Sequence, residues 1–183
     1  GWLASPVALD EPDRERAIRT LLRTAKSIPA DAMDPFLEAI AVATGSGRSG
    51  ASAGEGIWMT WDMLREMASA GMTIGGHGVT HAVLARASPE RQRQEIQGCA
   101  RRLADELGQP MRCFSYPVGA RNAFDTVARG LLEAAGVRFA FSYYGGFSRF
   151  ADWDPLDVRR VAVEPELTTD WFRSIIALPR TFA

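Results

Sequence analysis

Apolar residues recur every three or four positions in some stretches of the chain and alternate with polar residues in others. The first pattern predicts helices over about 10–26, 34–42, 60–70, 88–107, 122–135 and 170–176. The second pattern, with short apolar runs, predicts strands over 72–74, 111–116, 137–143 and 158–163. From residue 60 onward helices and strands alternate, which is typical of βαβ units in a mostly parallel α/β sheet or barrel.

Residues that favour helix ends place several of these boundaries. Ser88 is expected to cap the longest helix, with Pro89 in its first turn and Gly108 after its end. Asn122 and Asp170 are expected to start the two later helices.

A run rich in glycine and serine covers residues 44–56 and predicts a flexible surface loop. It lacks the GK[ST] ending of a phosphate-binding loop, and no buried strand precedes it. We therefore expect one domain over residues 1–183, interrupted by this loop.

Composition excludes some classes of protein. The chain is 46% hydrophobic and 23% charged, with a formal net charge of −1. No basic stripe is present, which argues against nucleic acid as a partner. No apolar run approaches the roughly 18 residues of a membrane helix. The two cysteines, Cys99 and Cys113, form no CxxC pair and are interpreted as buried thiols.

The most informative segment is Ile74–His81, because it contains both of the chain's histidines, His77 and His81. Neutral imidazole is the commonest protein ligand for metals. Two imidazoles that follow a Gly-Gly turn can converge on one ion, and we interpret them as two ligands of a divalent metal, zinc. The alternative is that both rings bond to nearby backbone.

The predicted topology places the two histidines in a loop at the carboxyl end of a strand. Loops that carry function follow the carboxyl ends of parallel strands, and here such loops begin at Gly75, Pro117 and Tyr144. The HExxH pattern of zinc proteases is excluded, since Gly78 stands where the glutamate is needed. Catalytic zinc usually has three protein ligands, so a third ligand, most plausibly a carboxylate, is required from elsewhere.

Three segments, Trp61–Met72, Gly75–His81 and Phe114–Gly119, share a pattern with a known family. In them, and over roughly residues 58–183, the chain resembles the NodB-type polysaccharide deacetylases, carbohydrate esterase family 4. The resemblance implies an incomplete, distorted (β/α) barrel with mostly parallel strands. It also implies removal of N-acetyl or O-acetyl groups from a polysaccharide by the water of a bound divalent metal.

The same resemblance assigns roles to particular residues. His77 and His81 would be metal ligands, and the backbone N–H of Val118 would stabilise the oxyanion. Tyr116, Pro117 and Gly119 would shape the loop that binds substrate. Trp153, with Asp152, would form a wall for the sugar; the alternative for Trp153 is ordinary packing.

The chain departs from the family pattern at four places. The early aspartate pair is absent, Gly78 replaces a serine or threonine, Ser115 replaces an arginine, and no third histidine exists. Either the chain is an N-terminally incomplete fragment, or it is a non-catalytic relative that binds metal or glycan. A third reading is an amidase of the same superfamily that acts on a small amide.

The missing first strand has two expected consequences. The chain alone is expected to bind metal weakly and to have little or no activity. An exposed sheet edge would favour pairing with a second copy or with the missing N-terminal segment.

Overall fold

A computed structural model of the chain describes residues 1–3, 7, 14–54, 56–149, 151, 153–179 and 181. The chain divides into two compact units, Gly1–Thr60 and Trp61–Ala183, and each is described by itself. Of the described helices, none is long and apolar enough to cross a bilayer. The first residues of the helix predicted over 10–26 lie outside the described residues.

The described residues of the first unit form two α-helices, α1 (Arg14–Ser27) and α2 (Met33–Thr44). Their apolar faces bury Ala17 and Phe36, each 2% exposed. The ring of Trp2 packs edge-on against Phe36 with the centroids 5.7 Å apart. Within the predicted 44–56 loop, Ala51–Gly54 forms a short 3₁₀ turn.

The described residues of the second unit form four α-helices and a small sheet. The helices are α3 (Trp61–Ser69), α4 (Pro89–Leu107), α5 (Thr126–Ala134) and α6 (Thr169–Ala177). The predicted ends of α4 are confirmed. The Ser88 hydroxyl accepts a hydrogen bond from the Arg91 amide at 3.2 Å, and Gly108 ends the helix at φ +64°.

The cap predicted for α5 is wrong by three residues, and α6 begins at Thr169, one residue before the predicted Asp170. Asp125, not Asn122, caps α5, because its carboxylate accepts from the Ala128 amide at 2.9 Å. Gln92 of α4 donates to the same carboxylate at 3.0 Å and so fixes it in place. Thr168 caps α6 in the same way, which leaves Asp170 in the first turn.

Three parallel strands form the sheet in the order β1 (Cys113–Ser115), β2 (Phe139–Ser142), β3 (Val158–Arg159). The prediction of mostly parallel strands is therefore confirmed. The strand predicted at 72–74 is wrong, since pairing with β1 is limited to one parallel bridge between Gly76 and Phe114. Only there does the segment come into hydrogen-bonding register: Gly76 donates to Cys113 O at 2.9 Å, and Ser115 donates to Gly76 O at 2.8 Å.

The core lies between this sheet and helices α4 and α5. Its members are buried apolar side chains: Leu84, Ile96, Cys99, Leu103, Met111, Phe114, Tyr116, Ala128, Leu132, Val137, Ala140 and Leu156. Because the strands are parallel, their carboxyl ends share one edge of the sheet. The chain leaves that edge through the loops that hold the predicted site residues.

Candidate functional site

The two histidines face each other across a tight turn. Their ring centroids are 4.8 Å apart, and the ring planes meet at 75°. The turn is not helical, so their spacing of four residues does not reflect a helix face. Both side chains are exposed, and the two imidazoles can therefore offer nitrogen atoms to one ion from outside the core.

The orientation of His77 is set by the neighbouring strand. Its Nδ1 lies 2.6 Å from the carbonyl oxygen of Ser115, at the end of β1. A carbonyl oxygen only accepts, so Nδ1 carries the proton and donates it. In this tautomer Nε2 keeps its lone pair, as a metal-binding histidine requires.

Backbone strain is concentrated at the same edge of the sheet. Among the described residues, two that are not glycine have positive φ: His81 at 61° and Val118 at 64°. Such a conformation costs of order 1–3 kcal/mol and persists only where surrounding contacts enforce it. For the β-branched Val118 it is a genuine outlier. Strain of this kind is often found at functional sites.

Glu95 of α4 supplies the contacts that hold the histidine turn. One of its oxygens, Oε2, accepts from the amides of Val79 at 2.7 Å and Thr80 at 2.8 Å. The other, Oε1, accepts from the Thr80 hydroxyl at 2.6 Å and pairs with Arg91 at 3.1 Å. The Glu95 side chain is only 2% exposed. No spacing in the sequence indicates this role, because Glu95 lies fourteen residues beyond His81 on another element.

Burial raises the pKa of Glu95. The opposite effect of the Thr80 hydroxyl, the two amides and Arg91 is larger, so the pKa lies below its ordinary value of 4.5. The Glu95 carboxylate therefore binds a proton more tightly in the unfolded chain than in the folded chain. The resulting stability is fully present above about pH 5 and is lost as the pH falls through the folded pKa.

We therefore expect acid to narrow the stability difference between wild type and Glu95→Gln. Urea unfolding at about pH 7 and about pH 3 would measure this difference in unfolding free energy. The difference should become smaller in acid because glutamine resembles only the protonated form of the carboxylate. Glu90→Gln is the matched control, because Glu90 lies on the same helix with its side chain 65% exposed. A difference for Glu95→Gln that stays constant with pH would contradict the expectation.

The loop after β1 lies beside the histidine turn. A Cβ added at Gly78 would lie 3.7 Å from Cγ of Pro117, so the two segments are neighbours. Val118, at the tip of this loop, is half-buried. Among the described residues, none accepts a hydrogen bond from its N–H.

The remaining predicted residues of this loop are buried. Tyr116 is 1% exposed, and its hydroxyl donates to the carbonyl of Leu156 at 2.8 Å. Burial raises the pKa of the Tyr116 phenol above its ordinary value, so it stays protonated. Gly119, at φ +67°, lies so close to the next loop that a Cβ would be 2.7 Å from the Tyr143 nitrogen. These residues give the loop its shape from within.

Trp153 lies at a separate cavity of about 320 Å³, which Phe147 and Arg159 also line. Its ring stacks on Phe139 with the centroids 5.7 Å apart, yet 43% of the residue is exposed. One face therefore packs and part of the ring is free to contact a ligand. Asp152, predicted beside it, lies outside the described residues.

A guanidinium group contacts Ser115, the residue that stands where the resembled family pattern has an arginine. Arg160, just after β3, donates to the Ser115 hydroxyl at 2.9 Å and to the Ser142 carbonyl at 2.9 Å. It thus joins the ends of β1 and β2 and places a positive charge next to the side chain of Ser115, the residue whose carbonyl contacts His77. Only the fold brings Arg160 to Ser115, 45 residues away.

The histidine pair fits a metal ion as two of its donors. The rings converge, and the bond to Ser115 leaves Nε2 of His77 able to bind. In the part of the chain that the structure describes, no group of three His, Cys, Asp or Glu residues could complete such a site. The described residues could therefore supply two donors to a divalent metal and no third.

The paired histidines lie at the carboxyl ends of parallel strands, where α/β folds place their functional sites. A family model described as polysaccharide deacetylase matches residues 40–140, more than half of the chain. The chain therefore belongs to the polysaccharide deacetylase family. This match confirms the resemblance found in the sequence motifs.

Solved structures share the fold. The Streptococcus pyogenes deacetylase PplD, in complex with acetate, matches 67% of this chain at 21% identity with a TM-score of 0.59. A de-N-acetylase from Aggregatibacter actinomycetemcomitans matches 64% of this chain at 17% identity, with a TM-score of 0.54. A polysaccharide deacetylase from Bacillus cereus matches 64% of this chain at 22% identity, also with a TM-score of 0.54. These likenesses confirm the predicted NodB-like (β/α) fold.

The chain covers only part of these proteins. It spans 53% of the S. pyogenes chain, 53% of the A. actinomycetemcomitans chain and 36% of the B. cereus chain. No curated protein matches the chain.

Proposed function

We propose that this chain is part of a metal-dependent hydrolase that removes N-acetyl or O-acetyl groups from a polysaccharide. The observation that carries the proposal is the convergence of His77 and His81, with the first ring held by the Ser115 carbonyl. Family membership supports the class of reaction.

In this proposal each residue acts through an atom described above. His77 and His81 hold a divalent metal, zinc, through imidazole nitrogens. A zinc ion, when bound, supplies Lewis acidity toward the acyl carbonyl. The Val118 N–H donates a hydrogen bond to the oxygen that becomes negative, and Trp153 offers its exposed ring to the apolar face of a sugar.

Arg160 has a supporting part in the proposed site. Its bonds to Ser115 and Ser142 hold together the ends of β1 and β2. The end of β1 provides the Ser115 carbonyl that contacts His77, and β2 leads directly into Tyr143. Tyr143 in turn donates its amide to the Gly119 carbonyl at 2.7 Å, so the guanidinium indirectly fixes the Val118 loop.

A second candidate is a relative that binds glycan or metal without turnover. It is favoured by one observation, the lack of a third His, Cys, Asp or Glu beside the pair in the described ranges. An amidase acting on a small amide is the third candidate, and it differs from the first in substrate.

Acetate release separates the candidates. The chain is incubated with added zinc and either chito-oligosaccharides or a small N-acetyl amide, beside His81→Ala and a chelated sample. We expect slow release from the oligosaccharide that disappears in both controls. Release from the small amide alone would favour the amidase. Saturable binding of the oligosaccharide without release would favour the binding relative.

A further inference from the structure

The turn between the two histidines is bonded to one buried side chain, that of Glu95, and to the neighbouring Arg91. Val79 and Thr80 occupy the middle of that turn, and both backbone amides donate to the same atom, Glu95 Oε2. The Thr80 hydroxyl donates to the other oxygen. Three of the four polar contacts of this carboxylate therefore come from two adjacent residues that lie between the proposed ligands.

Burying this carboxylate carries a free-energy cost that its contacts must offset. An ionised carboxylate taken out of water is strongly unfavourable unless it is paired and hydrogen-bonded. Glu95, at 2% side-chain exposure, meets both conditions through Arg91 and the turn. Bonds from N–H and O–H groups to a charged acceptor are roughly twice as strong as bonds between neutral groups. The turn is thus fixed to α4 by strong, directional contacts.

The residue beside His77 is fitted to the same carboxylate. Gly78 has φ +83°, and a Cβ there would lie 3.0 Å from Glu95 Oε2. The oxygen consequently occupies the space next to position 78 that a side chain would otherwise enter. This explains why glycine is suited to a position where the family pattern has serine or threonine.

We infer that Glu95 is the positioning residue of the histidine site: it holds the turn so that the His81 ring faces the His77 ring. The inference rests on the proposed function for its link to metal binding. Glu95 acts through Val79 and Thr80 and is not placed as a ligand itself, since both of its oxygens already accept from the turn or pair with Arg91. Its contacts also offset the cost of the left-handed backbone at His81.

The test compares Glu95→Ala, which removes every contact, with Glu95→Gln, which keeps the shape and some acceptor capacity. Glu90→Ala is the matched control on the exposed side of the same helix, where Glu90 pairs with Arg93. Zinc affinity is measured by competition with a chromophoric chelator, under conditions where circular dichroism shows each variant folded. We expect Glu95→Ala to bind roughly 10-fold to 100-fold more weakly, as for lost outer-shell partners of metal ligands.

Glu95→Gln should fall between wild type and Glu95→Ala, and Glu90→Ala should match wild type. A merely structural role would lower stability but leave the zinc affinity of the folded molecules unchanged. Equal affinity in wild type and folded Glu95→Ala would overturn the inference. If Glu95→Ala does not fold, Thr80→Val removes the hydroxyl bonds to Glu95 and Arg91 and keeps the two amide bonds to Glu95. Unchanged affinity in both Thr80→Val and Glu95→Gln would overturn the inference.

A second readout needs no metal. Nuclear Overhauser contacts between the two imidazole rings, and slow hydrogen exchange of the Val79 and Thr80 amides, are expected in wild type and lost in Glu95→Ala. Their persistence in Glu95→Ala would overturn the inference even if zinc affinity changed. If wild type binds no zinc, the proposed function fails, while the ring contacts and exchange rates still decide whether Glu95 positions the turn.

Discussion

Gly119→Ala is expected to lower the free energy of unfolding by about 3 kcal/mol, as the sum of two effects. The left-handed backbone costs a residue with a Cβ about 1–2 kcal/mol. Forcing an added methyl group against packed backbone costs about 1–3 kcal/mol more. Both apply here, because Gly119 has φ +67° and a Cβ would lie 2.7 Å from the Tyr143 nitrogen. Urea unfolding followed by circular dichroism measures the change.

Gly130→Ala is the matched control. Gly130 lies within α5, and a Cβ added there meets nothing within 4 Å. Alanine is the better helix former by about 1 kcal/mol, so this variant should be slightly more stable than wild type. Equal unfolding free energies for the two alanine variants would show that the Val118 loop does not have the close approach described for it.

His77→Ala is expected to weaken zinc binding by at least about 100-fold, because removing a ligand exceeds the 10–100-fold cost of removing its outer-shell partner. Substitution leaves the fold in place, since the His77 side chain is exposed. The Ser115 carbonyl loses its donor, but Ser115 is only half-buried. Competition with a chromophoric chelator gives the affinity.

Val79→Ala is the control within the same turn. The Val79 residue is 61% exposed, and its amide bond to Glu95 does not depend on the side chain. It should therefore bind zinc as wild type does. Similar losses in Val79→Ala and His77→Ala would mean that the turn as a whole, and not the imidazole, determines binding.

Much of the second unit follows from its sequence. Ser88, Pro89 and Gly108 define α4 correctly because capping depends on local hydrogen bonds and on backbone conformation that glycine tolerates. The parallel sheet follows from the alternation of elements after residue 60. Both signals are local or periodic, and a single sequence contains them.

The errors arise where tertiary contacts choose between local options. Asn122 and Asp125 can each cap a helix, and the bond from Gln92 favours Asp125. At the segment before the histidines, apolar character predicts a strand, but only Gly76 comes into register with β1. Neither choice is encoded by residues adjacent in the chain.

The residues of the candidate site also fall into two groups, those that local sequence indicates and those that only tertiary contacts bring together. The histidine pair and the Val118 loop form compact motifs that can be recognised in the sequence. Glu95 and Arg160 are distant in sequence from the groups they contact, Thr80 and Ser115, and only the fold brings them there. Residues that support a site from other elements are therefore the part that a single sequence does not reveal.

The central claim is that His77 and His81 together bind one divalent metal. Elemental mass spectrometry of wild type and His81→Ala, after equilibration with zinc and rapid gel filtration, tests it most directly. We predict that wild type retains zinc, in less than full occupancy because the described residues supply two donors and no third, and that His81→Ala retains essentially none. Equal zinc content in the two proteins would contradict the claim.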